Sequence, residues 1–281
     1  MATERKLTMN KLLLLFLPFL ILSCKDPAGS DDPEPDLTGL IWSDEFNGTD
    51  WRDNWYPELG DNGWGNNELQ NYTASSNNIV ITDSTLQIIA RKVGDNKRAG
   101  DYTSARLLSK EAWSYGRMEI RAKIPELKGN GLWPAIWMLG DGIRNGVSWP
   151  EAGEIDIMEY VSYAPNQFYA TVHTGAFNHR IGTQKGSGPI SMPDIEEEFN
   201  IFGIIWTENY IKFYADDKDN IVFRFNKLSD ATNDEWPFDN PHFFLLNMAV
   251  GGDWGGANGL DDDNFPAVFE IDYVRIFELE E

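Results

Sequence analysis

Apolar residues along this chain recur at every second position in short runs, and a period of 3.6 residues is nearly absent. Such runs occupy 78–82, 86–91, 117–124, 168–173, 201–206, 210–214, 221–225, 243–250 and 268–277. Residues two apart share one face of a strand, so each run offers an apolar side for burial and a polar side for solvent. The runs are rich in Val, Ile, Phe and Tyr, and Gly, Asn, Asp or Pro marks the gaps between them. That is the punctuation of short strands joined by turns. Many strands without interleaved helices predict an all-β fold. A β-jelly-roll sandwich of two antiparallel sheets uses this many strands and leaves a concave face as a ligand cleft. Neither an internal repeat nor a second linker interrupts residues 38–281, so they are read as one domain.

The N-terminus stands apart from that pattern. Arg5, Lys6 and Lys11 precede an apolar stretch over 12–22, and Met9 is an alternative start. A membrane-spanning helix needs roughly 20 apolar residues, so residues 1–24 are expected to be a signal peptide. Ile21-Leu22-Ser23-Cys24 resembles the bacterial lipobox, in which the cysteine becomes the lipidated first residue. Cys24 is the only cysteine, which leaves no partner for an internal disulfide. Residues 25–37 carry Pro, Gly, Ser and acid and almost nothing apolar. Such a segment is expected to be a flexible acidic linker. Acid just after the lipidated cysteine also resembles surface-export signals of some Gram-negative lipoproteins. The expectation is a protein of the bacterial cell envelope, an outer-membrane lipoprotein exposed at the surface and tied to the membrane by its N-terminal lipid.

The 281-residue chain has a formal charge of −22. DNA, RNA and anionic lipid reward Lys and Arg through counterion release, so this chain suits none of them. A neutral ligand fits better than a sulfated or uronic-acid polymer. Eleven tryptophans are present. Indole offers a wide apolar face with an N–H at its edge, which suits stacking on sugar rings. More than half of these tryptophans are nevertheless expected in the core.

The chemistry concentrates in Gly153-Glu154-Ile155-Asp156-Ile157-Met158-Glu159-Tyr160. On a regular strand Glu154 and Asp156 share one face and Ile155 and Ile157 the other, which would leave Met158 with the acids. A β-bulge at Ile157–Met158 returns Glu159 to the face of Glu154. Three carboxylates on one face repel one another, a cost that makes sense if they react. Retaining glycosidases need one carboxylate as nucleophile and one carboxyl as acid/base. The three histidines (His173, His179, His242) lack zinc-site spacing. Asp261-Asp262-Asp263-Asn264 reads as a solvated acidic turn, and Gly186-Ser187-Gly188 is not a nucleophile elbow.

Several motifs around this cluster resemble glycoside hydrolase family 16, and its laminarinase-like members in particular. They are Trp42-Ser43-Asp44-Glu45-Phe46, residues 63–73, Thr103-Ser104-Ala105-Arg106, residues 115–119 and 131–137, Gly153 to Glu159, Thr171-Val172-His173, residues 246–252 and Asp272-Tyr273-Val274-Arg275. The resemblance implies a β-jelly roll and a retaining endo-β-1,3-glucanase acting on a neutral β-glucan such as laminarin, as a monomer and without a cofactor for chemistry. It maps Glu154 as nucleophile, Asp156 as its electrostatic partner and Glu159 as acid/base. It also implies substrate contacts from Trp133, Trp137, Trp149, Asn66, Arg106 and His173, and a structural Ca²⁺ near Glu45 and Asp272. Alternatives are a mixed-linkage β-1,3-1,4-glucan or marine galactan hydrolase, a transglycosylase, and a non-catalytic glucan-binding lipoprotein. Asn200 stands where the family often has His, a position that reads as structural.

Overall fold

The computed structural model describes residues 37–279 except residue 127. The expected signal peptide, the linker up to residue 36 and Cys24 lie outside the described residues. Ten strands form one sheet. In spatial order they are β16 (Ile221–Asn226), β15 (Tyr210–Ala215), β14 (Asn200–Trp206), β8 (Gly116–Lys123), β18 (Ala267–Phe277), β5 (Thr85–Lys92), β6 (Tyr102–Ser104) and β3 (Gln70–Tyr72), with β1 (Leu40–Asp44) on β18 and β4 (Ile79–Thr82) on β5. Eight strands form the second. They are β12 (Lys185–Gly186), β11 (Gln167–His173), β10 (Glu154–Glu159), β9 (Leu132–Gly140), β17 (His242–Val250), β7 (Arg106–Ser109) and β2 (Trp55–Pro57), with β13 (Ile190–Ser191) on β11. Among the described residues there is no α-helix, only short 3-10 turns between strands.

This is the all-β jelly-roll sandwich that the alternating runs predict, with one exception to its antiparallel pairing. Strands β3 and β6 run parallel, Gln70 opposite Tyr102 and Tyr72 opposite Ser104. Both are three-residue pieces at the rim, and β6 is followed at once by β7 of the other sheet. The chain is changing sheets there, which alternation within a strand does not reveal.

β8 shows how the sequence builds the sandwich. Gly116, Met118, Ile120 and Ala122 are buried, while Arg117, Glu119, Arg121 and Lys123 face outward. The inward residues of β5, β8 and β18, such as Ile88, Ile120 and Val274, join Ile136, Ile155 and Leu246 of the facing sheet in one core. Each fully buried aliphatic of this kind contributes about 1.5–3 kcal/mol. Strand β17 is buried along its whole length. Its outward Phe243 and Leu245 pack under Leu139, Ile143 and Trp149. The loop after β9 therefore covers part of the second sheet's outer face, and the rest is left as the cleft. Asn200 is buried at the start of β14 and donates to the Glu198 carbonyl at 2.9 Å, a structural contact.

Candidate active site

The strand that carries the candidate acids, β10, is set by a glycine and a bulge. Gly153 enters β10 at φ +84, and a Cβ there would lie 2.7 Å from Pro237 Cγ and 2.9 Å from His242 Nε2. Only glycine combines that backbone with that clearance. Along β10, Glu154, Asp156 and Glu159 pair with Leu139, Trp137 and Ala135 of β9, and the register slips between Asp156 and Met158. The slip recurs against β11, between Asp156 and Glu159. Ile155, Ile157 and Met158 all enter the core. Two consecutive inward side chains are what a bulge produces, and Glu159 therefore returns to the cleft beside Glu154 and Asp156.

Each glutamate ends on an indole. Trp149 Nε1 donates to Glu154 Oε2 at 2.9 Å. Trp133 Nε1 donates to Glu159 Oε1 at 3.3 Å. Between them, Asp156 is 3% exposed. Its Oδ2 has no hydrogen-bond donor among the described residues, and His173 Nε2 lies 3.4 Å away. Burial pushes the Glu154 carboxyl up to about 7, opposed by the Trp149 hydrogen bond and the charge of Arg106. Burial and the neighbouring Glu154 charge push Glu159 up to about 8, opposed by Trp133. Asp156 is raised well above the usual range by burial and by both glutamates. His173 is held down to about 4 by burial and by His179, so it is neutral where the glutamates titrate. One carboxyl that keeps its proton beside one that gives it up is the division of labour an acid/base pair requires.

Trp133, Trp137, Trp149, Asn66 and Arg106 line the cleft with the three acids. His173 lines the adjoining cavity beyond Glu159. The three tryptophans have different tasks. Trp137 Nε1 is committed to Asn247 Oδ1 at 2.7 Å, and its ring carries the Arg106 guanidinium at 4.7 Å. Trp149 carries His179, 4.9 Å between ring centroids, and Arg180 at 4.4 Å. Its rings are occupied, and its contribution is the hydrogen bond to Glu154. Trp133 meets Trp254 edge-on at 5.3 Å.

Sequence reasoning missed several cleft residues. Trp64 takes a left-handed backbone, φ 51 and ψ 28, and the Arg106 guanidinium lies over its ring too, at 4.9 Å. Its position between two glycines was the available signal. Glu68 and Asn247 line the cleft, as do Tyr169 and Trp254 in the adjoining cavity. They lie far from β10 in sequence, and only strand order brings them together.

The two acids expected near calcium are engaged otherwise. Glu45 receives Arg275 through both oxygens, at 3.0 and 2.8 Å. Asp272 Oδ2 pairs with Arg121 at 2.5 Å. Calcium takes 6–8 oxygen ligands, and Glu45, closed at both oxygens by Arg275, does not fit that demand, whereas Asp272 is paired through Oδ2 alone. Among the described residues, Glu154, Asp156 and His173 form the one group of ligand-type side chains close enough to share a metal. Glu154 and Asp156 are the carboxylates of the cleft described above.

A jelly roll whose cleft holds a bulged Glu-Asp-Glu strand defines a glycoside hydrolase, and residues 66–275 match the family described as Glycosyl hydrolases family 16. The chain belongs to that family. It is 43% identical over 274 residues to a beta-glucanase of Rhodothermus marinus, covering 93% of each chain. It is 38% identical over 251 residues to a glucan endo-1,3-beta-glucosidase of Cryptopygus antarcticus, covering 84% of this chain and 90% of the relative. The X-ray structure of the laminarinase from Rhodothermus marinus superimposes with a TM-score of 0.79 at 44% identity, covering 86% of this chain and 98% of that one.

Proposed function

We propose that this glycoside hydrolase cleaves internal β-1,3-glucosidic bonds of laminarin-type glucans with retention of configuration. The observation that carries the reading is the bulge, which brings Glu154 and Glu159 to one cleft under different hydrogen-bond donors. Glu154, ionised, attacks the anomeric carbon. Glu159, protonated, gives its proton to the departing glycosidic oxygen, and the shortened chain leaves as an alcohol. The resulting glycosyl ester on Glu154 is then attacked by water, whose proton returns to Glu159. Asp156 lies between the two, where it can share a proton with Glu154 and so moderate their repulsion. The chemistry needs no organic cofactor or metal.

The endo-β-1,3 assignment is supported by the relatives named above, and a cleft walled by Trp133, Trp137 and Trp64 suits a neutral glucan chain. The test is proton NMR of the first product from laminarin, with lichenan and agarose run in parallel. A β-configured reducing end from laminarin is expected. An α-configured one would overturn retention, and faster cleavage of lichenan or agarose would overturn the linkage. The same reading includes lipidation at Cys24 and attachment to the outer membrane. Cys24→Ala is expected to release the protein from the membrane fraction, and unchanged partitioning would sink the anchor.

A further inference from the structure

The motif at residues 63–73 contributes more than Asn66 to the cleft. Glu68 is 5% exposed. No arginine or lysine pairs with it among the ion pairs of the described residues, and its oxygens are filled by three uncharged donors. Asn66 Nδ2 reaches Oε1 at 3.1 Å. Gln70 Nε2 and Tyr72 OH reach Oε2 at 2.6 and 3.3 Å. The Gln70 amide cannot turn over, because its Oε1 accepts the Val250 backbone N–H at 2.7 Å. Tyr72 is fixed in direction as well. Its oxygen accepts Asn247 Nδ2 at 3.1 Å, while Asn247 Oδ1 accepts the Trp137 indole. The Oε2 side is therefore an obligatory acceptor position. Asn66 has no such second constraint on its amide. It lines both cavities of the cleft, and with Nδ2 turned to Glu68 its Oδ1 is left for the cleft.

We propose that Glu68 is a positioning residue for substrate, its acceptor-only carboxylate turning the Asn66 amide so that Oδ1 is presented to a sugar hydroxyl. A carboxylate accepts at both oxygens, whereas an amide accepts at one and donates at the other. In Glu68→Gln the oxygen must stay with Gln70 and Tyr72, so the new NH2 faces Asn66. Asn66 then turns over and offers the sugar a donor where it had offered an acceptor. The size of the side chain is unchanged and the Trp137 branch is intact, so the substitution alters hydrogen-bond polarity at one point of the cleft.

This rests on the glycosidase reading above, and the test separates the two. Parental enzyme, Glu68→Gln, Asn66→Asp and the double variant are compared on laminarin for KM and kcat. A β-1,3-linked glucose tetrasaccharide is titrated calorimetrically for Kd. Glu68→Gln is expected to raise KM and Kd about tenfold, the worth of one mismatched hydrogen bond, with kcat changed much less. In the double variant the carboxylate now at position 66 accepts from the amide now at position 68. It again shows an oxygen to the cleft, so affinity returns to within about threefold of parental. Asn66→Asp alone sets two carboxylates face to face and is expected to bind worse than the double variant. That last comparison holds even where Glu68→Gln alone folds poorly. Asn66 and Glu68 touch, so some coupling is expected in any case. A merely structural role for Glu68 predicts instead a lowered Tm in Glu68→Gln with Kd unchanged for the folded fraction. Parental affinity in Glu68→Gln, or additive losses in the double variant, would overturn the proposal. If the parental enzyme leaves laminarin uncut, the β-1,3 reading fails, and the four proteins are compared on whichever β-glucan it cleaves.

Discussion

Two sets of carboxylates, one on each sheet, are handled in opposite ways. On the ten-stranded side Glu119 and Glu45 each meet an arginine. Glu119 pairs with Arg117 at 2.6 Å and accepts Tyr273 OH at 2.8 Å, and Glu45 is clasped by Arg275. Burial pushes Glu45 up, yet the Arg275 hydrogen bonds and charge more than offset it and hold the carboxyl below its ordinary value. On the eight-stranded sheet Glu154, Asp156 and Glu159 meet indoles, one histidine and one another, and all three are raised. The same residue type thus serves as a clamp on one face and as a reagent on the other. What separates them is whether an arginine pairs directly with the carboxylate, because an ion pair fixes its charge and a reacting carboxyl must be free to change it.

The largest effects should come from the reagent side. Glu154→Ser is expected to lower the release of reducing ends from laminarin by at least about 10³-fold, and Glu159→Gln by about 10²–10⁴-fold. Glu119→Gln should leave kcat within about twofold, since that side chain lies on the other sheet, away from the cleft. A comparable loss in Glu119→Gln would erase the contrast.

A second effect is on pH. kcat/KM should fall as pH drops below about 7, when Glu154 takes a proton, and as it rises above about 8, when Glu159 loses one. An aryl β-glucoside oligomer with an acidic leaving group needs no proton from Glu159, so its alkaline limb should disappear. Persistence of that limb would remove the acid/base assignment.

Third in size is stability, where the two faces should respond with opposite signs. Glu159 has a raised pKa in the fold, so the native state holds a proton that the unfolded chain gives up at about pH 4.3. Its contribution is present below that pH and is lost as pH rises toward about 8. Glu159→Gln should therefore raise Tm at about pH 8.5 and leave it unchanged at about pH 4. Glu45 has a lowered pKa, so its contribution is present above the unfolded pKa and is lost as pH falls through the folded one. Glu45→Gln, at a pair only partly buried, should cost about 1–2 kcal/mol near neutral pH, a charged hydrogen bond discounted for exposure, and progressively less in acid. Thermal melts across pH decide both. The smallest effect belongs to Asp272→Asn, whose pair with Arg121 is 30% and 39% exposed. It should change stability by less than about 1 kcal/mol.

Much of this contrast was legible in the chain. Alternation marked β8, and the two acids two apart marked the reactive face of β10. The extra residue between Asp156 and Glu159 required a bulge if both glutamates were to face one cleft, and the register slip lies there. What the sequence did not disclose depends on contacts across sheets. Nothing local says that Arg275 of β18 reaches Glu45 just beyond β1, where the two form an ion pair. Nothing local says that the rings of Trp149 are covered by residues 179 and 180, about 30 positions later. Nor does spacing along the chain reveal that Glu68 and Asn247 share a hydrogen-bonded chain through Tyr72.

The two indole N–H groups that terminate on Glu154 and Glu159 give the protein an optical readout of its own charge state. An indole's emission shifts with the field along its ring, and a carboxylate at 2.9 or 3.3 Å from Nε1 is close enough to impose one. Trp149 then reports the proton on Glu154, and Trp133 the proton on Glu159. Eleven tryptophans emit together, so each titration is the part of the pH-dependent emission shift, read without substrate, that Trp149→Phe or Trp133→Phe abolishes.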